Sequence, residues 1–306
     1  MAFLRFLDSP LRLVLVVAAV VLLLGAAIRR TRFKGATITP VIQRRRAGQH
    51  LGAAVQLARA HPALFVSIGL LLPVAGLVAT LLQWLLTDTT ELGDGLELAG
   101  SGSPWGSALV GLVGLVIVVP MTSIVYVAVA AAVRYLAGAD PDSDADVDAG
   151  AEASASWRRS MTAVGHHPRA VLAELLVRAV TNALFFSIAL APVGVWLLGR
   201  WGIAAAAGLE RSHPLQRSAE LTRGGRLRAG ALATLTTVLS LVIPALAATL
   251  LLLLTGWSFL FVNVVTGLVA AAVTPVMAAA VALLHGELAS GEIPVTDPLR
   301  HGAMSD

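Results

Sequence analysis

Glu174 and Arg178 stand four residues apart inside an otherwise apolar stretch, the spacing that sets two side chains on one face of an α-helix. Within a membrane span the two can pair there, and Arg178, about two turns in from the cytoplasmic end, can also snorkel to the interface. Arg200 also lies within an apolar run, between Trp196 and Trp201. An arginine so placed contacts a lipid phosphate, lines a wet cavity, or extends to water beside an interfacial tryptophan pair. His166 and His167 adjoin a basic stretch, and His285 precedes Glu287 by two residues. These are acid–base candidates, but no nucleophile or metal set completes a site around them. The sequence has no His-Glu-x-x-His, no Walker loop, no Gly-x-Ser-x-Gly elbow and no CDP-alcohol phosphotransferase run. With no cysteine, thiolate metal sites, disulfides and cysteine nucleophiles are excluded. The expectation is therefore no catalytic residue, no metal, no cofactor and a non-enzymatic role.

The elements that must hold these groups are membrane helices. Of 306 residues, 57% are hydrophobic and 13% charged, whereas soluble domains run nearer half apolar and about a quarter charged. The apolar residues come in blocks long enough to cross a hydrocarbon core of about 30 Å. Residues 11–28, 63–86, 105–133, 170–191, 193–208, 230–254 and 258–284 read as seven transmembrane helices; barrel strands would alternate, and these do not. The fifth is short. The fold expected is an all-α integral membrane bundle: a six-helix core, an extra N-terminal span and short interfacial helices. Residues 1–40 hold that extra span and a basic loop, 41–290 the membrane domain, and 291–306 a cytoplasmic tail. Leu11 to Ile28 reads as a retained span, since no small-x-small cleavage site ends it.

Charge divides the connections sharply. Residues 29–62 carry eight basic groups, 134–169 carry four, 209–229 carry Arg211, Arg217, Arg223, Arg226 and Arg228, and the tail carries Arg300. Residues 87–104 carry none, but hold Asp88, Glu91, Asp94 and Glu97. Basic loops stay in the cytoplasm, which seven spans achieve for all 18 of these residues. The expected location is a bacterial plasma membrane, with the N-terminus outside and the C-terminus inside. Membrane lipids with anionic headgroups are the expected partners, contacted by Arg200, Arg217, Arg223, Arg226 and Arg228; no nucleic acid is expected.

Between the spans, the acidic run at 138–156 departs from an EF-hand, because Ala149 and Ala155 take the places of its Gly and Glu. It reads as a disordered linker. Val41 to Ala60 is amphipathic and predicts a helix lying on the inner leaflet. Prolines follow His61, His167 and His213, which suits a first helical turn. Pro73, Pro120, Pro244 and Pro275 lie within spans, where such residues kink helices and free carbonyls. The last span sets Asn263, Gly267, Ala271, Pro275 and Ala279 at four-residue spacing, and the sixth sets Thr236, Ser240 and Pro244 likewise. Small and hydroxylated stripes let helices approach closely, so these two helices are expected to pack through these faces. A substrate path lined by the same residues is the alternative.

Gly208 to Gly224 follows the proline Pro192 and the aromatics Trp196 and Trp201. It contains Glu210 and the run Leu215-Gln216-Arg217-Ser218-Ala219-Glu220-Leu221-Thr222-Arg223-Gly224. This stretch resembles a prokaryotic membrane family that includes the membrane domain attached to some glycerophosphodiester phosphodiesterases. Its members show a helix ending in Pro, a short helix with an aromatic, a Glu, then Ala/Leu-x-Arg-Ser-x-x-Leu-x-x-Gly. The resemblance covers residues 165–290, and 41–135 by layout. It implies a membrane domain with an envelope- or lipid-related role. The phosphodiesterase barrel itself has no counterpart in the sequence, so no hydrolase activity is implied. Read physically, Ser212 is an N-cap, Gly224 a C-cap, and Leu215, Ala219 and Thr222 one face of a short helix on the inner leaflet, with Arg217 and Arg223 reaching headgroups. Three roles follow: a lipid- or partner-interacting membrane protein, a small-molecule or lipid transporter, and an enzyme at the inner interface that would gather His166, His167, His285 and Glu287.

Overall fold

In the computed structural model, residues 45, 47–88, 104–138, 149–186, 190–255 and 259–291 are described, and every element among them is an α-helix. The expected span 11–28, the connector residues 89–103 and the tail beyond 291 lie outside the described residues. In chain order the helices are α1 (Ala47–Ala60), α2 (Pro62–Gly69), α3 (Leu71–Asp88), α4 (Pro104–Gly138), α5 (Ala149–His166), α6 (Pro168–Phe186), α7 (Ala191–Trp201), α8 (Ala204–Ala207), α9 (Pro214–Leu221), α10 (Arg226–Thr255) and α11 (Phe259–Ser290).

Among the described residues, four stretches are long and apolar enough to cross a membrane: Pro62–Leu82, Gly114–Gly138, Arg226–Leu251 and Val264–Ser290. The hairpin α6–α8 is different. Three charged residues, Arg169, Glu174 and Arg178, interrupt α6, and α7 and α8 together cover only Ala191–Ala207, about 25 Å of helix. The expected fifth span is thus a broken, short return limb. Glycine builds the break. A Cβ on Gly202 would strike the Leu198 carbonyl oxygen and the Ala233 side chain, and one on Gly208 would strike Ala170.

Small residues likewise set the helix approaches. Gly199 of α7 lies against Gly230 of α10. The small stripe of α11, however, faces the α2–α3 hairpin. A Cβ on Gly69 would meet the Ala271 carbonyl, and one on Gly267 would lie 2.9 Å from Pro73 Cα. Helices α10 and α11 do pack side by side, yet Gly267 and Ala271 turn to a different partner from the one expected.

Two other expectations are corrected. Helix α1 does not spread an apolar face on lipid: Leu51, Ala53, Ala54 and Leu57 are buried in the main core, and the helix packs on α11. Helix α5 begins at Ala149, inside the stretch 138–156 expected to be disordered. Ser156, Trp157, Ser160 and Met161 give α5 a stripe that meets the bundle, so packing overrides the disorder suggested by the acidic composition. Residues 139–148 lie outside the described residues.

Candidate functional site: a buried arginine and the basic end of the bundle

Helical spacing brings Glu174 and Arg178 together. Arg178 Nε lies 2.7 Å from Glu174 Oε1, and both side chains are buried. The Arg178 guanidinium stacks on Tyr126 of α4, its Cζ 3.3 Å from the ring centroid. A planar guanidinium on an aromatic face gains cation–π attraction while its charge stays compensated by the carboxylate. Glu174 Oε2 is buried without a hydrogen bond. The nearby hydroxyls of Thr181 and Thr236 are occupied by their own helices, bonding to the carbonyls of Val177 and Ala233. A void of about 10 Å³ borders Glu174, Arg178, Tyr126 and Thr236, room for a single water molecule.

On the other side of Arg178 opens a cavity of 440 Å³ between α3, α4, α6, α10 and α11. Its walls are mainly apolar, including Leu72, Leu115, Val118 and Leu241; Arg178 is its charged group and Asn182 its amide. Ser240, Pro244 and Gly267 line it too, so both stripes picked out in the sequence border this space. Pro244 has no N–H for the carbonyl of Ser240, which adds an acceptor without a helical donor at the wall. Arg200 is not in this lining. It lies over Trp196 and Trp201, 5.9 and 5.6 Å from their rings, and its carbonyl accepts from Ser218 Oγ and Thr222 Oγ1.

The basic segments converge at one end of the bundle around two glutamates. Glu287 accepts two hydrogen bonds from Arg228, one from the Arg45 backbone N–H at 2.9 Å, and has His50 Nε2 at 3.1 Å. Burial pulls the Arg45 guanidinium below its ordinary pKa, while the Glu287 carboxylate opposes that shift. Glu210 lies 3.5 Å from Arg217 Nε and 3.6 Å from His285 Nε2. Arg134 donates to the Leu209 carbonyl at 3.0 Å. A cleft of 380 Å³ opens here, lined by Arg134, Glu210, Arg217 and His285.

Of the five arginines expected at headgroups, Arg200 lies over the tryptophan pair and the other four divide. Arg217 is buried, 9% exposed, between Glu210 and Glu220, and Arg228 is bound to Glu287. Arg223 and Arg226 are exposed. The face of α9 turned to the protein is Pro214, Arg217, Ser218 and Leu221. Its N-cap is His213 rather than Ser212, and its C-cap is Thr222 rather than Gly224. The Arg217 side chain is turned inward toward Glu210, seven residues earlier. His166, His167 and His285 do not assemble with Glu287. His166 and His167 engage the carbonyls of Thr162 and Ala163 on their own helix, and His285 and Glu287 join different clusters. Among the described residues no group of three His, Asp or Glu side chains is placed to hold a metal ion. Asn263 lies outside the residues whose side chains are described.

No protein-family model, curated protein or solved structure matches the chain.

Proposed function

We propose that the chain is a non-enzymatic integral membrane protein that binds an amphipathic organic anion in the cavity beside Arg178. The observation that carries this reading is the cavity itself: 440 Å³ of mainly apolar wall with one arginine. That volume lies in the range of ligand pockets, about 300–1,000 Å³. An apolar body would lie along Leu72, Leu115, Val118 and Leu241, and the anionic group would approach Arg178 and Asn182. The resemblance to the membrane domain of glycerophosphodiester phosphodiesterases fits a lipid-related role and adds no chemistry.

The orientation we favour places the arginine-rich end in the cytoplasm of a bacterial plasma membrane, with seven spans and the N-terminus outside. The α6–α8 hairpin leaves and returns to the same end, since Pro168 and Gly208 border one cleft. The side on which each basic loop lies is then independent of how far the hairpin tip reaches. At that end Arg223 and Arg226 meet anionic headgroups.

Two ligand sources share this chemistry, a bilayer phospholipid and a free single-chain anion, and native mass spectrometry of the detergent-purified protein separates them by mass. The wild type should retain one such species, and Ser240→Phe, which fills the cavity, should lose it. Equal retention by both proteins would place the ligand elsewhere and remove the reading.

A further inference from the structure

The 440 Å³ cavity, the water-sized void and the basic-end cleft lie in one file along the bundle. Helix α4 shows the order most directly. Thr122 borders the cavity, Tyr126 the void, and Ala130 and Arg134 the cleft. These residues recur every four positions, on one helix face. From Thr122 to Arg134 the helix rises about 18 Å, more than half of a hydrocarbon core. Helix α11 repeats the order, with Thr274 at the cavity, Val281 at the void and His285 at the cleft. Helix α6 runs the other way and agrees: Asn182 at the cavity, Arg178 at both cavity and void, Glu174 at the void.

We infer that the three spaces are one translocation path for a small amphipathic anion, and that Arg178, Tyr126 and Glu174 form its closed gate. Cationic side chains flank the constriction, Arg178 where the cavity meets the void and Arg134, Arg217 and His285 in the cleft. Between them the path narrows to about 10 Å³, which admits one water and no solute. The obstruction is a side-chain assembly: a ring, the guanidinium stacked on it, and the carboxylate that holds the guanidinium. Tyr126 borders the void alone, and it is the ring that would have to swing aside for cavity and cleft to join. Glu174 keeps Arg178 from being an uncompensated charge, so an arriving anion competes with Glu174 for the guanidinium. The inference rests on the binding reading above and adds a route to it.

The absence of cysteine allows a test with single cysteines in full-length protein reconstituted into vesicles. The probe is a membrane-impermeant anionic methanethiosulfonate applied from either side. Ser240→Cys should label from one side only, Ala130→Cys from the opposite side only, and Thr236→Cys, at the void, from neither. Adding Tyr126→Ala should make Thr236→Cys reactive. If Tyr126→Ala does not fold, the paired change Glu174→Ala/Arg178→Ala opens the same place. Labelling of Ser240→Cys and Ala130→Cys from the same side overturns the path, as does continued protection of Thr236→Cys in a folded open-gate variant. Reaction of Ser240→Cys with membrane-soluble reagent alone also overturns it, while leaving the binding reading intact. Loss of that reading is seen separately, in ligand retention by mass spectrometry.

Discussion

Arg228 holds Glu287 by two parallel hydrogen bonds, Nη1 to Oε1 at 2.7 Å and Nη2 to Oε2 at 2.9 Å. This fork ties the first turn of α10 to the end of α11, and the Arg45 backbone and His50 close on the same carboxylate. Removing one member of a buried pair strands the other, whereas a partly exposed partner can be rehydrated. Arg228 is 33% exposed at its side chain and Glu287 8%. Glu287→Gln should therefore cost about 2 kcal/mol. Arg228→Lys, which keeps the charge and loses the fork, should cost less. Thermal unfolding in detergent checks the order: wild type highest, Arg228→Lys intermediate, Glu287→Gln lowest. An unchanged midpoint for Glu287→Gln would mean that the knot does not fasten α1 and α10 to α11.

Two glycines seven residues apart should respond oppositely to alanine. At Gly69 a Cβ would collide with the Ala271 carbonyl, a backbone atom that cannot swing away, whereas at Gly76 a Cβ meets nothing within 4 Å. Gly69→Ala should lose about 1–3 kcal/mol, as overpacked sites do. Gly76→Ala should be neutral, or should gain up to about 1 kcal/mol from helix propensity. The same unfolding assay decides it, and loss of stability in Gly76→Ala alone would contradict the packing of α2 and α3 on α11.

The helical character of the chain and the stretches long and apolar enough to cross a membrane were legible because they rest on local quantities, apolar length and hydropathy. The Glu174–Arg178 pair was legible for the same reason, since four-residue spacing within one helix determines it. The rest depended on distant segments. Arg45 and Glu287 are 242 positions apart, and nothing near either residue announces the other. Arg217 looks like a headgroup ligand until Glu210 and Glu220 are placed around it. Helix α1 has the pattern of a lipid-facing amphipath, and only the position of α11 shows that protein fills its apolar side. The stripes Thr236-Ser240-Pro244 and Gly267-Ala271-Pro275 were visible as helix faces, but which faces meet and which leave a cavity depends on the α2–α3 hairpin.

The basic residues around α9 should separate into two classes when changed to glutamine. Arg223 and Arg226 are exposed, so Arg223→Gln/Arg226→Gln should leave unfolding unchanged and reduce enrichment of anionic lipid around the protein. Each arginine near such a surface contributes about 1 kcal/mol, and the deficit should shrink at high salt. Arg217→Gln should do the reverse, lowering stability by breaking its contacts with Glu210 and Glu220 while sparing lipid enrichment. Native mass spectrometry of protein taken from mixed anionic and zwitterionic nanodiscs gives the lipid readout. Equal enrichment for the double variant and the wild type would remove these two arginines from the lipid-contacting set.

The Glu174–Arg178 pair yields the sharpest energetic contrast. Both side chains are buried, and they touch at 2.7 Å. Arg178→Leu leaves a carboxylate in an apolar helix bundle, and Glu174→Leu leaves a guanidinium stacked on the Tyr126 ring without its carboxylate. Each single change should cost about 3–5 kcal/mol. Replacing both with leucine removes the stranded charge along with its partner, and buried pairs so replaced are often no less stable. The double variant should therefore unfold near the wild-type temperature, well above either single variant, giving a strong non-additivity in the cycle. Ligand retention should not recover with stability, because the double variant still lacks the arginine at the cavity wall. A stable double variant that retains the ligand at wild-type level would assign the pair to folding alone and leave Asn182 and the Ser240 carbonyl as the cavity's polar anchors.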